Sequence, residues 1–151
     1  MRLQQATRCA LFAVLELAQD PDRQISAPDI AEKYGISANH LAKVLRDLVR
    51  AGLVESMRGA GGGYRFSGNA KRVTLYEVVH MFEDIGSKPG GRPEGGDSSD
   101  IGRALGQVMN EIDETAVSTL KSITLATLLK LIHRNAAGQA GSRSKKDSVN
   151  A

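Results

Sequence analysis

Residues 25–66 decide the fold, and they read ISAPDIAEKYGISANHLAKVLRDLVRAGLVESMRGAGGGYRF. Ser26 and Ser37 each stand where a hydroxyl can cap the first turn of a helix. Gly35 and Gly52 each stand where a helix can end in a left-handed residue. The stretch therefore predicts two consecutive capped helices joined by a tight turn.

A glycine-rich hairpin follows the second helix. Residues 53–57 and 64–66 are strand-like, and the glycines between them allow a tight reversal and a close approach to another molecule. Arg58 and Arg65 flank this hairpin. Two helices followed by a cationic hairpin predict a winged helix-turn-helix. In that fold the second helix fits the major groove of double-stranded DNA, while the hairpin reaches the adjacent backbone or minor groove.

Composition limits the class of protein. The chain has 151 residues, of which 41% are hydrophobic and 25% charged, and this is the size of one domain, or of one domain with an appended interaction element. No run of about 18 apolar residues could span a bilayer, so no membrane partner is expected. The N-terminus lacks a signal-peptide pattern, and the single cysteine, Cys9, fits a reducing compartment. We therefore expect a cytoplasmic protein.

Charge is unevenly distributed along the chain. Residues 1–72 hold eleven Lys and Arg against seven Asp and Glu, and residues 124–151 hold five against one. Residues 73–123 hold four basic against nine acidic residues. Positive charge thus accompanies the predicted winged helix, whereas the middle of the chain would be repelled by phosphate.

The predicted second helix, residues 38–51, has one apolar face and one face rich in hydrogen-bond donors. Its polar residues near the N-terminus are predicted to read base edges, and Arg46 to contact phosphate. Arg58 is predicted to enter the minor groove, whose negative potential attracts guanidinium. For His40, an ordinary solvated histidine is the alternative. The predicted DNA-binding set is Ser37, Asn39, His40, Lys43, Arg46, Arg58, Gly59, Gly62, Tyr64 and Arg65.

Two enzymatic interpretations have little support. A phosphate-cradling nucleotide loop at residues 59–63 would need the lysine and hydroxyl of a P-loop and a helix starting directly afterwards, and the sequence has none of these. No nucleophile and base, and no pair of carboxylates, stand at a useful spacing. We therefore do not expect an enzyme.

Apolar spacing also predicts the remaining elements. A first helix is expected over residues 4–19, a helix capped by Thr74 to about Asp84, and a last helix capped by Thr124 to about Arg134. Between them, a long apolar stripe is too extensive for the small core to cover, so a partner helix should cover it. The predicted dimer interface is Ile101, Leu105, Val108, Met109, Ile112, Ala116 and Leu120.

The predicted fold is therefore mainly α with a small β-hairpin wing, plus a long C-terminal dimerisation helix. We expect a DNA-binding domain over residues 1–85 and a flexible linker at the sensor-loop position over residues 86–100. Dimerisation helices should occupy residues 101–134, and a disordered basic tail residues 135–151.

Several segments resemble the bacterial transcription regulators of the IscR/NsrR/CymR type. They are MRL at residues 1–3, IAE at 30–32, LAKVL at 41–45, RGAGGGY at 58–64, VTLYEVV at 73–79 and ITLATLL at 123–129. The resemblance covers about 130 residues. It implies a homodimer whose long helices cross between subunits and whose two winged helices bind a palindromic operator. We therefore expect a sequence-specific transcriptional regulator, a repressor rather than an activator.

The sequence departs from this family at the sensor. Many members carry three cysteines between the winged domain and the dimerisation helix, where they ligate an iron-sulfur cluster. This segment has no cysteine here, and position 8, a carboxylate ligand in some relatives, is Arg8. We therefore expect no cluster, no other cofactor and no metal, and an effector that is an unknown small molecule or protein.

Two alternatives remain open. Cys9 could act as a redox switch, although a cysteine among alanines on an amphipathic helix more often serves as a small buried apolar residue. The winged fold could instead be a protein-interaction module, which predicts weak DNA binding that is indifferent to sequence.

Overall fold

A computed structural model describes residues 1–86 and 95–147, with side chains as far as Gly141. Within these residues the chain forms six helices and one antiparallel hairpin. In chain order they are α1 (Gln5–Ala18), α2 (Ala27–Tyr34), α3 (Ala38–Arg50), β1 (Val54–Met57), β2 (Gly63–Phe66), α4 (Leu75–His80), α5 (Asp100–Ser122) and α6 (Leu125–Asp147).

Helix α1 is the centre of the hydrophobic core. Its small residues allow neighbouring helices to approach closely, and Ala10, Ala13 and Leu17 are completely buried. Helix α3 packs against it through Leu41, Val44, Leu45 and Leu48, and α4 contributes Val78 and Val79. Because α3 buries one face against α1, its opposite face is exposed to solvent.

Hydrogen bonds at the helix ends fix the turn between α2 and α3. The Ser26 hydroxyl accepts from the Asp29 N–H at 3.2 Å, and the Ser37 hydroxyl accepts from the His40 N–H at 3.2 Å. Gly35 has a φ of 62° and ends α2 in the left-handed conformation. The predicted caps and the glycine stop are confirmed, and they set the direction in which α3 leaves the turn.

The hairpin is fixed to the helices at its base. Val54 pairs with Phe66 in the register of β1 and β2, and both side chains are buried. A bridge outside the hairpin adds Ile25 to its edge. The Ile25 N–H donates to the Tyr64 carbonyl at 2.9 Å, and the Tyr64 N–H donates to the Ile25 carbonyl at 2.8 Å. The wing is therefore held by the segment that precedes α2 as well as by the core.

The start of α6 packs on the same core as α1. The Leu75 N–H donates to the Ile123 carbonyl at 2.8 Å, and the Leu125 N–H donates to the Val73 carbonyl at 2.9 Å. Leu125 is completely buried. These bonds tie the end of α5 and the beginning of α6 to the N-terminus of α4.

Two boundaries differ from the sequence-based expectation. Helix α4 ends at His80 rather than near Asp84, because the Phe82 and Glu83 N–H groups both turn back to the Val79 carbonyl. Helix α6 continues past Arg134 to Asp147. Residues 135–141, NAAGQAG, contain no proline to stop a helix and are rich in alanine, the strongest helix former. The rest of the predicted tail, residues 148–151, lies outside the described residues.

Part of the predicted linker, residues 87–94, also lies outside the described residues. Where the description resumes, residues 95–98 form turns that lead into α5. The Ser99 hydroxyl accepts from the Gly102 N–H at 3.0 Å and caps this helix. The C-terminal half of α5 returns to the core, where it packs against α4.

A small polar network joins α1 to α2. The Lys33 ammonium donates to the Glu16 carboxylate at 2.9 Å, and the Tyr34 hydroxyl donates to the other oxygen of the same carboxylate. The Glu16 side chain is only 10% exposed. Burial alone would raise the pKa of Glu16, but the hydrogen bonds from Lys33 and Tyr34 outweigh it and hold the pKa below its ordinary value.

This network predicts a pH-dependent contribution to stability. Because the folded-state pKa of Glu16 is lowered, its contribution is present above the unfolded-state value of 4.5 and is lost as pH falls through the folded-state pKa. We expect Glu16→Gln to lower the free energy of unfolding by about 1 kcal/mol at pH 7, and by progressively less below pH 4.5. Urea unfolding across this pH range measures the difference. Asp22→Asn, which alters an exposed carboxylate, is the control, and a Glu16→Gln difference that does not vary with pH would contradict the assignment.

Candidate nucleic-acid interface

The exposed face of α3 presents donors at helical spacing. Lys43 lies four residues and Arg46 seven residues after Asn39, so the three side chains share one face of α3, and all three are exposed. Neither Lys43 nor Arg46 forms an ion pair among the described residues, so both charges are free to meet an external anion. Ser37 is also exposed, but its hydroxyl is already used as the N-cap of the helix.

His40 occupies a different position from the other predicted α3 residues. Its side chain is half-buried, and its Nε2 atom is buried without a hydrogen-bond partner. It lines a cavity together with Arg8 and Cys9 of α1. The imidazole is therefore packed toward the body of the domain, and its position gives no support to the prediction that it reads bases.

The tip of the hairpin depends on its glycines. Gly59 and Gly61 have φ values of 103° and 74°, in the left-handed region that favours glycine. The Gly62 N–H donates to the Gly59 carbonyl at 2.9 Å. A Cβ atom at Gly62 would lie 2.5 Å from the Met57 carbonyl oxygen, so only glycine fits there without a backbone shift.

The charged residues of the hairpin have separate roles. Arg65 forms an ion pair with Glu55 across the two strands, and its charge is thereby partly neutralised. Tyr64 is half-buried and packs against the core. Arg58 is exposed at the end of β1 and has no ion-pair partner among the described residues. Of the predicted wing residues, Arg58 is the one whose cation is available to a ligand.

The apolar stripe on α5 is exposed over most of its length. Ile101 is 74% exposed, and the other four large residues are between 49% and 58% exposed; they are Leu105, Val108, Met109 and Ile112. Ala116 is half-buried. Leu120 is only 8% exposed, because the C-terminal half of α5 packs against α4 within the same chain. The predicted interface set is therefore corrected at Leu120, which the chain itself covers.

Cys9 is a core residue. Its side chain is 3% exposed and belongs to the cluster around α1. Burial raises the pKa of the Cys9 thiol to about 11, so the thiolate that would react with oxidants is scarce at neutral pH. This position disfavours the redox-switch alternative.

Thiol reactivity tests this placement. In the native protein we expect Cys9 to react with an aromatic disulfide reagent at least ~100-fold more slowly than in urea, because the raised pKa and the burial both limit attack. The release of thionitrobenzoate measures both rates, and Cys9→Ala gives the blank. Equal native and unfolded rates would show that the thiol is accessible.

The described part of the chain lacks two features, a membrane-spanning helix and a metal-binding cluster. No helix there is both long and apolar enough to cross a membrane. No group of three or more His, Cys, Asp and Glu side chains is placed there to hold a metal ion.

Known proteins are similar to this chain in sequence and in fold. A family model described as "Rrf2: Iron-dependent Transcriptional regulator" matches residues 3–131. BadM of Rhodopseudomonas palustris, named as an HTH-type transcriptional regulator, is 58% identical over 132 residues, which cover 87% of this chain and 83% of BadM. The segments that carry the resemblance lie within the family match from Leu3 onward.

Solved structures give the same result. IscR of T. potens superposes with a TM-score of 0.68 at 26% identity and covers 86% of this chain and 87% of its own. CymR of B. subtilis, titled a global cysteine regulator, superposes with a TM-score of 0.71 at 25% identity and covers 87% and 98%. The winged-helix fold and the resemblance to the IscR and CymR type are confirmed.

The residues of this chain do not fit the iron named in the family description. An iron-sulfur cluster is held mainly by cysteine thiolates. The whole sequence contains one cysteine, and it is buried in α1 with a raised pKa. The family match and the shared fold place this protein among transcriptional regulators and not among enzymes. The chain belongs to the Rrf2 family of bacterial winged-helix transcriptional regulators.

Proposed function

We propose that the protein is a homodimeric repressor that recognises a palindromic operator in the cytoplasm without an iron-sulfur cluster. The combination of two kinds of exposed surface on one chain supports this proposal. The chain combines an exposed donor-rich face on α3 and a free Arg58 with a 23-residue helix, α5, whose apolar face its own core leaves exposed. The first two features suit DNA, and the third suits a second copy of the chain.

The α3 face and the wing support sequence-specific binding by different means. Amide and ammonium donors at Asn39 and Lys43 suit the acceptors that bases present in the major groove. Arg46 and Arg58 can contact phosphate or, at the thin glycine tip, the minor groove. Because α3 is capped and packed on α1, Asn39, Lys43 and Arg46 are presented on a rigid element.

The exposed face of α5 supports the dimer. A 23-residue helix is about 34 Å long, long enough for two copies to pack side by side over several turns. Removing one large apolar side chain from water contributes about 1.5–3 kcal/mol when burial is complete. Ten partly exposed side chains, five from each protomer, thus supply a gain comparable with the cost of association, about 4–15 kcal/mol.

Dimer geometry supports the proposed repression. Two winged helices related by a twofold axis read an inverted repeat with half-sites about one helical turn apart, and a dimer there would occlude a promoter. The single buried thiol supports control by an effector other than a cluster, either a small molecule or a protein partner. A winged-helix protein-interaction module remains the alternative, and it predicts no preferred DNA sequence.

Selection of bound duplexes from a random pool tests the proposal. We expect enrichment of an inverted repeat whose affinity falls steeply with salt, because phosphate contacts release counterions. Enrichment of no motif, with weak binding to every duplex, would support the protein-interaction alternative instead.

Placing a charge on the apolar face of α5 should separate the protomers. We expect Leu105→Asp to halve the mass measured by light scattering and to weaken operator binding at least ~100-fold, because a buried unpaired carboxylate is costly. Gln107→Asp adds the same charge to the opposite face of α5 and should leave the dimer intact. If the Leu105→Asp protein is still a dimer, the apolar face of α5 is not the dimer interface.

Distorting the wing should weaken DNA binding without unfolding the domain. In Gly62→Ala the new methyl group would lie 2.5 Å from the Met57 carbonyl oxygen, so the tip must shift. We expect operator affinity to fall by roughly 10-fold, with thermal stability lowered by only a few degrees. Gly138→Ala, where no atom lies within 4 Å, is the matched control. Unchanged affinity in Gly62→Ala would show that the wing does not touch DNA.

A further inference from the structure

We propose that Arg2 and Arg8, at the start of α1, bind DNA phosphate and form a third contact beside α3 and the wing. The inference rests on DNA binding as proposed above, but not on the dimer or on the palindrome. It concerns two residues outside the DNA-binding set predicted from the sequence.

Arg8 lies beside the first turn of α3. A cavity of about 160 Å³ separates α1 from the turn between α2 and α3. Gln5 and Arg8 line it from α1, while Ile36 and His40 line it from the turn and from α3. The end of α3 that carries Asn39 therefore has Arg8 as a neighbour across this cavity.

A second concave surface continues from Arg8 toward the N-terminus. It encloses about 560 Å³ and is lined by Arg2, Leu3, Gln4, Gln5 and Arg8. Gln5 and Arg8 line both hollows, so the two hollows are adjacent on either side of these residues. Among the described residues, no acidic side chain lines either hollow, and Arg2 and Arg8 give this surface a positive charge.

Both guanidinium groups are available to a ligand. Arg2 and Arg8 are exposed, and neither forms an ion pair among the described residues. The Arg8 guanidinium carbon lies 5.5 Å from the centroid of the Phe12 ring, and that ring stacks on Tyr34 at 5.1 Å. The aromatic pair holds the Arg8 side chain along α1 while leaving its N–H groups free to donate.

Two carboxylates of the described residues, Glu16 and Glu83, lie close to this surface, and neither pairs with Arg2 or Arg8. Glu16 accepts from Lys33 and Tyr34. The Glu83 carboxylate accepts from the Gln4 N–H at 2.6 Å, so it binds the backbone at the beginning of α1 and not a guanidinium. The proposed contact therefore uses the two arginine side chains and does not use the backbone N–H groups of the helix.

Phosphate is the ligand that fits this placement. When the N-terminal part of a recognition helix enters the major groove, the first helix of the motif, here α2, crosses the DNA backbone. Arg8 of α1 lines the cavity beside the turn between α2 and α3, so it lies next to the end of the motif that would face this backbone. The planar donor fork of arginine matches phosphate oxygens. A contact of this kind positions the protein without reading sequence, so it should change affinity for all duplexes alike.

The test measures how operator affinity depends on salt for single and double variants. Each lost phosphate contact should reduce the slope of log K against log salt concentration by about 0.9. We expect Arg8→Gln to lower the slope by that amount and Arg2→Gln/Arg8→Gln by about twice as much, with the base preference unchanged. Arg8→Lys should restore the slope, because it keeps the charge while changing the packing on Phe12.

Arg23→Gln is the matched control, since Arg23 is exposed beyond the other end of α1 and should keep the wild-type slope. Circular dichroism checks that each variant is folded. The single variant Arg2→Gln tests the contact of a residue that precedes α1, where the substitution does not alter a helix. Wild-type slopes in both Arg8→Gln and the double variant would overturn the inference. If the wild-type protein binds DNA without preferring a palindrome, the proposed operator is wrong. The salt slopes of the variants would still show whether Arg2 and Arg8 contact phosphate.

Discussion

The packing of α3 against α1 is the interaction on which the rest of the structure depends. Leu41, Leu45 and Leu48 of α3 are completely buried. On α1, the alanines that face them let the two helices approach closely. Loss of one such leucine side chain typically costs about 2–5 kcal/mol, a large part of the stability of a small domain. Burial of this face fixes the orientation of α3 and determines that Asn39, Lys43 and Arg46 are exposed.

Local chemistry made much of this fold predictable from the sequence. Side-chain caps at Ser26 and Ser37, and the left-handed Gly35, act within a few residues, so their signals are visible in the chain itself. The wing was also predictable, because its glycines are required by backbone geometry. The match to the Rrf2 family confirms the fold class that these signals predicted.

The differences arise where residues distant in sequence meet. Nothing in the local pattern shows that Ile25 bridges Tyr64, that Arg65 is paired with Glu55, or that Leu120 is covered by its own chain. His40 belongs to the same group, since its position on a polar helix face does not reveal the cavity beside α1. The role proposed for Arg2 and Arg8 depends on the folded chain in the same way, because only the fold places Arg8 beside the first turn of α3. The continuation of α6 has a different origin, since its alanine content outweighed a basic composition that suggested disorder.

In the proposed complex, two copies of the α3 face and the wing bind DNA with twofold symmetry. Hydroxyl-radical footprinting of the protein on its selected duplex tests it most directly, because it maps the backbone positions that the protein covers. We expect two equivalent sets of protected sugars, related by a dyad and centred about one helical turn apart. A single unsymmetrical protected patch, or no protection, would contradict it.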